Sequence, residues 1–395
     1  MAMSMSTSLT GLRWFINACT IFVITGFLCQ LRPYSSALPS HLYTTATAKD
    51  LHRLDSVYIA SIQWNSAAIL ETYWIPALLK LIRELQAVDI TVCVSIYESG
   101  SQDGIKDALS HLAESLKYLN ISNTITLDNE MHAEVIDKAM PKTAGWLKTL
   151  YGKELRRMLY LANVRNRALE PLYSLNKAGI RFDKLLYLND VVFSAQDTIA
   201  LLNTRKGIYA AACGLDFLNP TGNYLKPEER ESTHPPGVYD DLATRDSQGN
   251  ALASPLFPYF SLKVSKSAML EVVPLAVAFD ANPFQLSSSN QTPLRFRAIP
   301  DLLAQYHVEA CECCLIHYDN PLTTIVGIWI NPAVRVGYFA TPYAAVSSPT
   351  PPALRSRPGV DGKVRPRANG QPNKSFTGEI GKVDGRGGHG INFRG

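Results

Sequence analysis

Phe182–Leu202 reads FDKLLYLNDVVFSAQDTIALL, and the rest of the chain is organised around this stretch. Leu185, Leu186, Tyr187 and Leu188 form a short apolar run that predicts a strand buried on both faces. Asn189 and Asp190 follow at once, which sets an amide and a carboxylate at the tip of that strand. After Val191, Val192 and Phe193 comes Ser194, three residues before Asp197 and a helical apolar pattern, and this spacing predicts an N-cap. Open α/β sheets build ligand sites from buried strands that deliver polar groups to their C-terminal edge. Asn and Asp are also turn formers, so the pair by itself marks only a strand end.

Upstream, the same logic recurs. Val57–Ile62 predicts a first strand, and Ile69, Tyr73, Leu78, Leu79, Ile82 and Leu85 share one helical face after it. A second buried strand, Ile90–Tyr97, ends in the turn ESGSQDG from Glu98 to Gly104, followed by a helix through Leu119. Glu98 stands where a carboxylate can accept two hydroxyl hydrogen bonds from a ribose, and Ser101 or Asp103 can cap the next helix. An ordinary βα turn needs the same Gly and Ser residues. Tyr160–Leu175 predicts a helix leading into the central strand. Arg165, Asn166 and Arg167 interrupt its apolar pattern, placing a cation where a diphosphate needs one, or simply forming a solvated face. Strand and helix alternating at this rhythm predict an α/β fold with a mostly parallel sheet.

Downstream, Ile208–Gly214 predicts another strand, ending near Asp216. Residues 219–258 are rich in Pro, Gly and charge and carry Asp240, Arg245 and Asp246, as expected of a long loop over a site. The last dense polar cluster is EACECCLIHYD, which holds Glu312 and His317. Cys311, Cys313 and Cys314 with His317 lack a second cysteine pair at zinc-site spacing, so disulfides or thiols are expected there.

The formal charge of +4 is local: residues 355–395 carry nine Lys/Arg against three Asp/Glu, which leaves the remainder about two units negative. Nothing in the globular part argues for a nucleic-acid partner. Trp14–Leu31 is uncharged and bounded by Arg13 and Arg32, near the lower length for a bilayer span of roughly 17–25 residues. It is expected to be an uncleaved signal anchor, with a cleaved signal peptide as the rival. Residues 1–13 are then a short cytoplasmic tail, 32–55 a stem, 56–345 the folded domain and 346–395 a disordered basic tail. Asn120-Ile-Ser122, Asn290-Gln-Thr292 and Asn373-Lys-Ser375 are sequons in such a lumenal chain.

Taken in order, IYESGSQDG, VRNRALEPL, FDKLLYLNDVVFSAQD, AAACGLDFLNP, YDDLATRDSQG, PLFPYF, LRFRAIPDLLA and ECCLIHYDN resemble glycosyltransferase family 69, the fungal capsule-associated α-1,3-mannosyltransferases. The resemblance implies a GT-A-like (Rossmann-like) nucleotide-sugar domain behind a single N-terminal transmembrane helix. It further implies a type II Golgi membrane protein that moves mannose from GDP-mannose to a glycan acceptor, with retention and a divalent cation, normally Mn2+. On that resemblance Glu98 and Asp103 belong to the donor side, and Arg165, Asn166 and Asn189 lie near the base or diphosphate. Asp190 is the metal ligand, with His317 a late second one. Asp190, Asp216 and Glu312 form the catalytic set, and Asp240, Arg245 and Asp246 surround donor or acceptor sugar.

One departure stands out. Family members carry a Cys-Trp-Asn-Gly stretch before the segment that here reads Val277-Ala278-Phe279-Asp280, and this chain runs into it directly from Val273-Pro274-Leu275-Ala276. The competing expectation is therefore a non-catalytic, membrane-anchored assembly factor of the same fold.

Overall fold

The computed structural model describes residues 47–51, 54–128, 145–149, 152–218, 237–238, 265–266, 276–285, 292–304 and 312–347. The expected anchor at 14–31, most of the stem and the tail from 348 onward lie outside the described residues. Among the described residues no helix is long and apolar enough to cross a membrane.

The strands, in chain order, are β1 (Ser56–Gln63), β2 (Thr91–Glu98), β3 (Ser122–Leu127), β4 (Trp146–Thr149), β5 (Gly152–Leu155), β6 (Lys184–Leu188), β7 (Ala211–Leu218), β8 (Gly237–Val238), β9 (Ser265–Lys266), β10 (Ala276–Asp280) and β11 (Ile328–Gly337). The principal helices are α1 (Ile75–Gln86), α2 (Ile105–Tyr118), α3 (Arg157–Lys177), α4 (Ala195–Leu202), α5 (Glu312–Asp319) and α6 (Ala340–Ser347). The main sheet runs β3-β2-β1-β6-β10-β7-β11-β9, with β8 on β7. β1, β2, β3 and β6 are mutually parallel, and β7 and β11 are parallel to each other. β10 is inserted antiparallel to both β6 and β7. The fold is thus mixed α/β with a mostly parallel sheet.

Alternation along the strands explains the layers. Val57, Ile59, Val92, Val94, Leu186 and Leu188 face one way and pack with Leu78, Leu81 and Ile82 of α1, Leu109 and Leu112 of α2, and Ile199 of α4. Tyr58, Ala60, Leu185 and Tyr187 face the other way and pack with Leu169, Leu172 and Tyr173 of α3. Each such side chain removed from water contributes about 1.5–3 kcal/mol, so a sheet covered on both faces favours the continuous apolar run seen in β6.

The chain departs from the sequence reading in three places. The helix after β1 opens at Ala67–Ile69 and passes through a π-helical turn, Leu70–Trp74, before α1 takes over. β7 starts at Ala211 and continues to Leu218 because Arg205, Lys206 and Gly207 adopt left-handed backbone angles that delay the strand. Asp216 therefore lies within β7. Finally, Ala48 and Leu51, expected in the stem, are buried in the core on the α1 side, so packing begins before residue 56.

Candidate active site

β1 has β2 and β3 on one side and β6 on the other. The chain builds outward in one direction and then returns to the opposite flank. In an open α/β sheet the crevice outside the strand ends at such a reversal is where ligands bind. Here β1 delivers Gln63 to that crevice, β2 delivers Glu98 beside it, and β6 delivers Asn189 and Asp190.

The β6 tip is held firmly. Trp74, wholly buried in the π-helical turn, donates its indole N–H to the Asn189 carbonyl at 2.9 Å and meets Phe193 edge-on at 6.3 Å. π-turns of this kind often accompany functional sites, because they re-aim one side chain. Beyond Asp190, Val192 and Gly337 exchange backbone hydrogen bonds at 2.8 and 3.0 Å, and Gly337 pairs in turn with Phe217. A Cβ on Gly337 would stand 2.8 Å from the Tyr343 nitrogen, so the close approach needs glycine. This contact brings the segment after Asp190 to the strand end that carries Asp216. Ser194 and Asp197 form the expected reciprocal cap of α4, with Ser194 Oγ accepting from the Asp197 N–H at 3.1 Å and Asp197 Oδ2 accepting from the Ser194 N–H at 3.0 Å.

Asp190 is half-buried. Burial pushes its carboxyl above the ordinary carboxylate value, and its own backbone hydrogen bond and the Arg165 charge oppose that rise. Arg165 is itself buried on α3 and donates its Nε–H to Glu312 Oε1 of α5 at 3.0 Å. Its guanidinium lies 5.4 Å from the Tyr187 ring and 5.6 Å from the Phe296 ring. Burial alone would lower its proton affinity, but Cys313, Glu312 and Tyr187 outweigh that and raise it. A fixed positive charge is thus kept beside the Asp190 carboxylate by a buried ion pair.

Other expected residues take up framework duties. Asp103 Oδ2 accepts from the Ala67 N–H at 2.9 Å, which ties the turn after β2 to the turn after β1, and Oδ1 accepts from the Ile105 N–H at 3.3 Å at the start of α2. Ser101 Oγ and Asn65 reinforce that tie through the Asn65 and Gln102 amides at 2.9 and 3.0 Å. Asn166 clamps residue 296 from both ends, accepting from the Phe296 N–H at 3.0 Å and donating to its carbonyl at 2.8 Å. Glu98 is wholly buried; Oε1 accepts from the Ser101 N–H, and Lys106 stands 3.7 Å from Oε2.

His317 packs its ring against Phe279 at 5.5 Å between centroids, inside the core. Phe279 pairs with Leu185, and the three residues from there to Leu188 span about 10 Å of strand before the Asn189–Asp190 tip begins. Among the described residues no group of three or more His, Cys, Asp or Glu side chains gathers as a metal set, and Asp190 and His317 do not form one. Cys93 and Cys213 are buried thiols. Asp240, Arg245 and Asp246 lie outside the described residues, although β8, just before them, is seated on Phe217 and Leu218.

One cluster escaped the sequence reading. At the ends of β2 and β3, the Tyr97 hydroxyl bonds Asp128, and the Tyr160 hydroxyl lies 2.6 Å from Ser99 Oγ. Burial raises both phenols, with Asp128 adding to the rise. Tyr97 directly before Glu98 was the available signal, but its partners lie 31 residues and more away.

A protein-family model described as Cryptococcal mannosyltransferase 1 matches residues 56–319, from the first residue of β1 to the last of α5. The chain belongs to this mannosyltransferase family. The match contains Asp190, Arg165, Glu312 and the whole β1–β6 crevice. Among solved structures, the chain is similar to the mannosyltransferase PcManGT from Pyrobaculum calidifontis in complex with GDP-Man and Mn2+. That likeness has 11% identity and a TM-score of 0.33, over 75% of this chain and 63% of that one. GalNAc-T7 with UDP, GalNAc and Mn2+ is similar at 11% identity and a TM-score of 0.34, over 72% of this chain and 43% of that one. The chain thus spans less than two thirds of the length of either structure. No curated protein matches this member of the mannosyltransferase family.

Proposed function

We propose that the chain transfers mannose from GDP-mannose to a glycan hydroxyl, forming an α-1,3 linkage with retention, with the help of a divalent cation such as Mn2+. The observation that carries this reading is Asp190 at the β1–β6 reversal beside the buried Arg165–Glu312 pair, in a chain of a mannosyltransferase family. The donor nucleoside takes the β2 side, near Glu98, and the diphosphate lies toward Asp190.

The donor set suits a hard cation. Asp190 offers one carboxylate, and the buried Asn189 Oδ1 has no hydrogen-bond partner among the described residues. Small divalent ions are commonly held by one or two carboxylates, with substrate phosphates and water completing the shell. Such an ion would neutralise charge on the departing diphosphate. Arg165 supplies a second, fixed positive charge, and its ion pair with Glu312 keeps it oriented without rearrangement during the reaction. Asp216 lies at the same rim, toward the sugar side. His317, expected as a late ligand, is better suited to supporting β10 through Phe279.

The proposal extends to place. The 14–31 segment anchors the chain as a single-pass type II protein of the Golgi membrane with 56–345 in the lumen, on the strength of its uncharged run. A second reading, a non-catalytic assembly factor, is favoured by the missing Cys-Trp-Asn-Gly stretch before β10. Purified protein incubated with a panel of nucleotide sugars, with and without Mn2+, separates the two. Mn2+-dependent release of GDP from GDP-mannose is expected; no release from any donor would favour the second reading.

A further inference from the structure

We propose that Asn120 is an N-glycosylation site and that the first sugar packs on the exposed ring of Tyr118. α2 ends in a Schellman turn: Leu119 caps it, and Asn120 follows in the left-handed region at φ 55°. The Asn120 N–H donates to the Lys117 carbonyl at 3.0 Å and the Ile121 N–H to the Leu116 carbonyl at 2.9 Å. Leu116 and Ile121 are buried beneath the turn, which fixes the backbone and leaves Asn120 exposed.

A left-handed helix end accounts for Gly or Asn at position 120. It does not account for Ser122, which completes the Asn-Ile-Ser acceptor sequence and is exposed. In the fold, Ser122 Oγ receives only a weak bond from Cys93 Sγ at 3.8 Å. Nor does the turn account for Tyr118, which is 87% exposed at the end of a helix whose other large apolar groups are buried. An aromatic face two residues before the acceptor offers the apolar side of a pyranose a surface that the described residues leave open. Ser122 also opens β3, which among the described residues is the outermost strand of the sheet and pairs with β2 alone. A bulky, hydrated group at that corner would shield an edge open to pairing with other chains.

In the modification, the Asn120 side-chain nitrogen bonds to the anomeric carbon of a lipid-diphosphate-linked oligosaccharide. The carbon–oxygen bond to the diphosphate breaks, the lipid diphosphate leaves with that electron pair, and the amide nitrogen gives up one proton. The transfer is made by the host's lumenal transferase. It rests on the lumenal placement of 56–345 proposed above, and needs neither the β1–β6 crevice nor the chain's own activity.

The test expresses the full chain in a eukaryotic secretory host. Glycans are released enzymatically in heavy-oxygen water, so each formerly occupied Asn becomes a mass-labelled Asp. Label at Asn120 is expected in wild type and in Ser122→Thr, and none in Ser122→Ala, which leaves the helix-ending Asn untouched. Asn120 unlabelled in wild type overturns the proposal. With the 56–345 region protected from protease in sealed microsomes it overturns the glycosylation site alone, and with that region digested it overturns the lumenal placement too. Tyr118→Ala is expected to raise the unoccupied fraction at Asn120 several-fold and to make the occupied protein melt earlier. Occupancy and melting equal to wild type would overturn the stacking.

Discussion

Replacing Glu312 by leucine isolates the role of the buried pair. Arg165 Nε and Glu312 Oε1 stand 3.0 Å apart with both side chains almost fully covered. At an effective dielectric of about 20, two unit charges at that distance attract by roughly 5 kcal/mol, most of it offset by the cost of removing both from water. Taking away one partner leaves the guanidinium buried with that cost and without its carboxylate. Glu312→Leu should therefore lose about 3–5 kcal/mol in urea unfolding. Adding Arg165→Met removes the stranded charge and places a flexible apolar chain between Tyr187 and Phe296, so the double variant should regain most of that loss. Turnover should not return with it, since no cation then faces Asp190. A loss below about 1 kcal/mol in Glu312→Leu would show that the pair is not a buried charge pair that the fold depends on, because breaking one is expected to cost several-fold more. A double variant no more stable than the single one would show the same, and one with native turnover would refute the reasoning.

Three further outcomes follow from the same geometry. Ser194→Ala removes the acceptor for the Asp197 amide at the start of α4 and should cost about 1 kcal/mol in urea unfolding, with the helix otherwise intact. Asp103→Ala should cost about 1–3 kcal/mol, since it takes the side-chain acceptor from two backbone amides, and amide exchange at Ala67 and Ile105 should quicken. In sealed microsomes the 56–345 region should resist protease until detergent is added; digestion without detergent would overturn the anchored, lumenal placement.

The central strand, its polar tip and the cap after it were legible because each rests on contacts within a few residues. Leu185–Leu188 had to be buried, Asn189–Asp190 had to end the run, and Ser194 needed only Asp197. The parallel direction of β1, β2 and β6 was legible through alternation with helices, though not their order in the sheet. β10 was not: Ala276–Asp280 is short and apolar, and its antiparallel place between β6 and β7 is set by partners more than 60 residues away. Asp103 reads locally as a cap for the next helix, which its bond to the Ile105 amide fits, whereas its tie to Ala67, 36 residues earlier, has no local signature. Arg165 and Glu312 were each singled out, yet their pairing spans 147 residues and has no local signature. His317 shows the converse. Its neighbours in sequence are Cys, Glu and Asp, but the helix turns its ring onto Phe279, and only the packing of α5 against the sheet decides that.

Asp190 at the β1–β6 reversal is proposed to serve donor chemistry and not the fold. The most direct measurement is GDP release from GDP-mannose by Asp190→Ala and Asp190→Asn beside wild type, across a Mn2+ titration, with urea unfolding of each. A half-buried carboxylate at a strand tip should cost only about 0.5–3 kcal/mol of stability when removed. Losing the group that holds the cation should cost several kcal/mol in the transition state. Both variants should therefore fold and show no Mn2+-dependent turnover. Near-native turnover with unchanged Mn2+ dependence in either variant would contradict the claim.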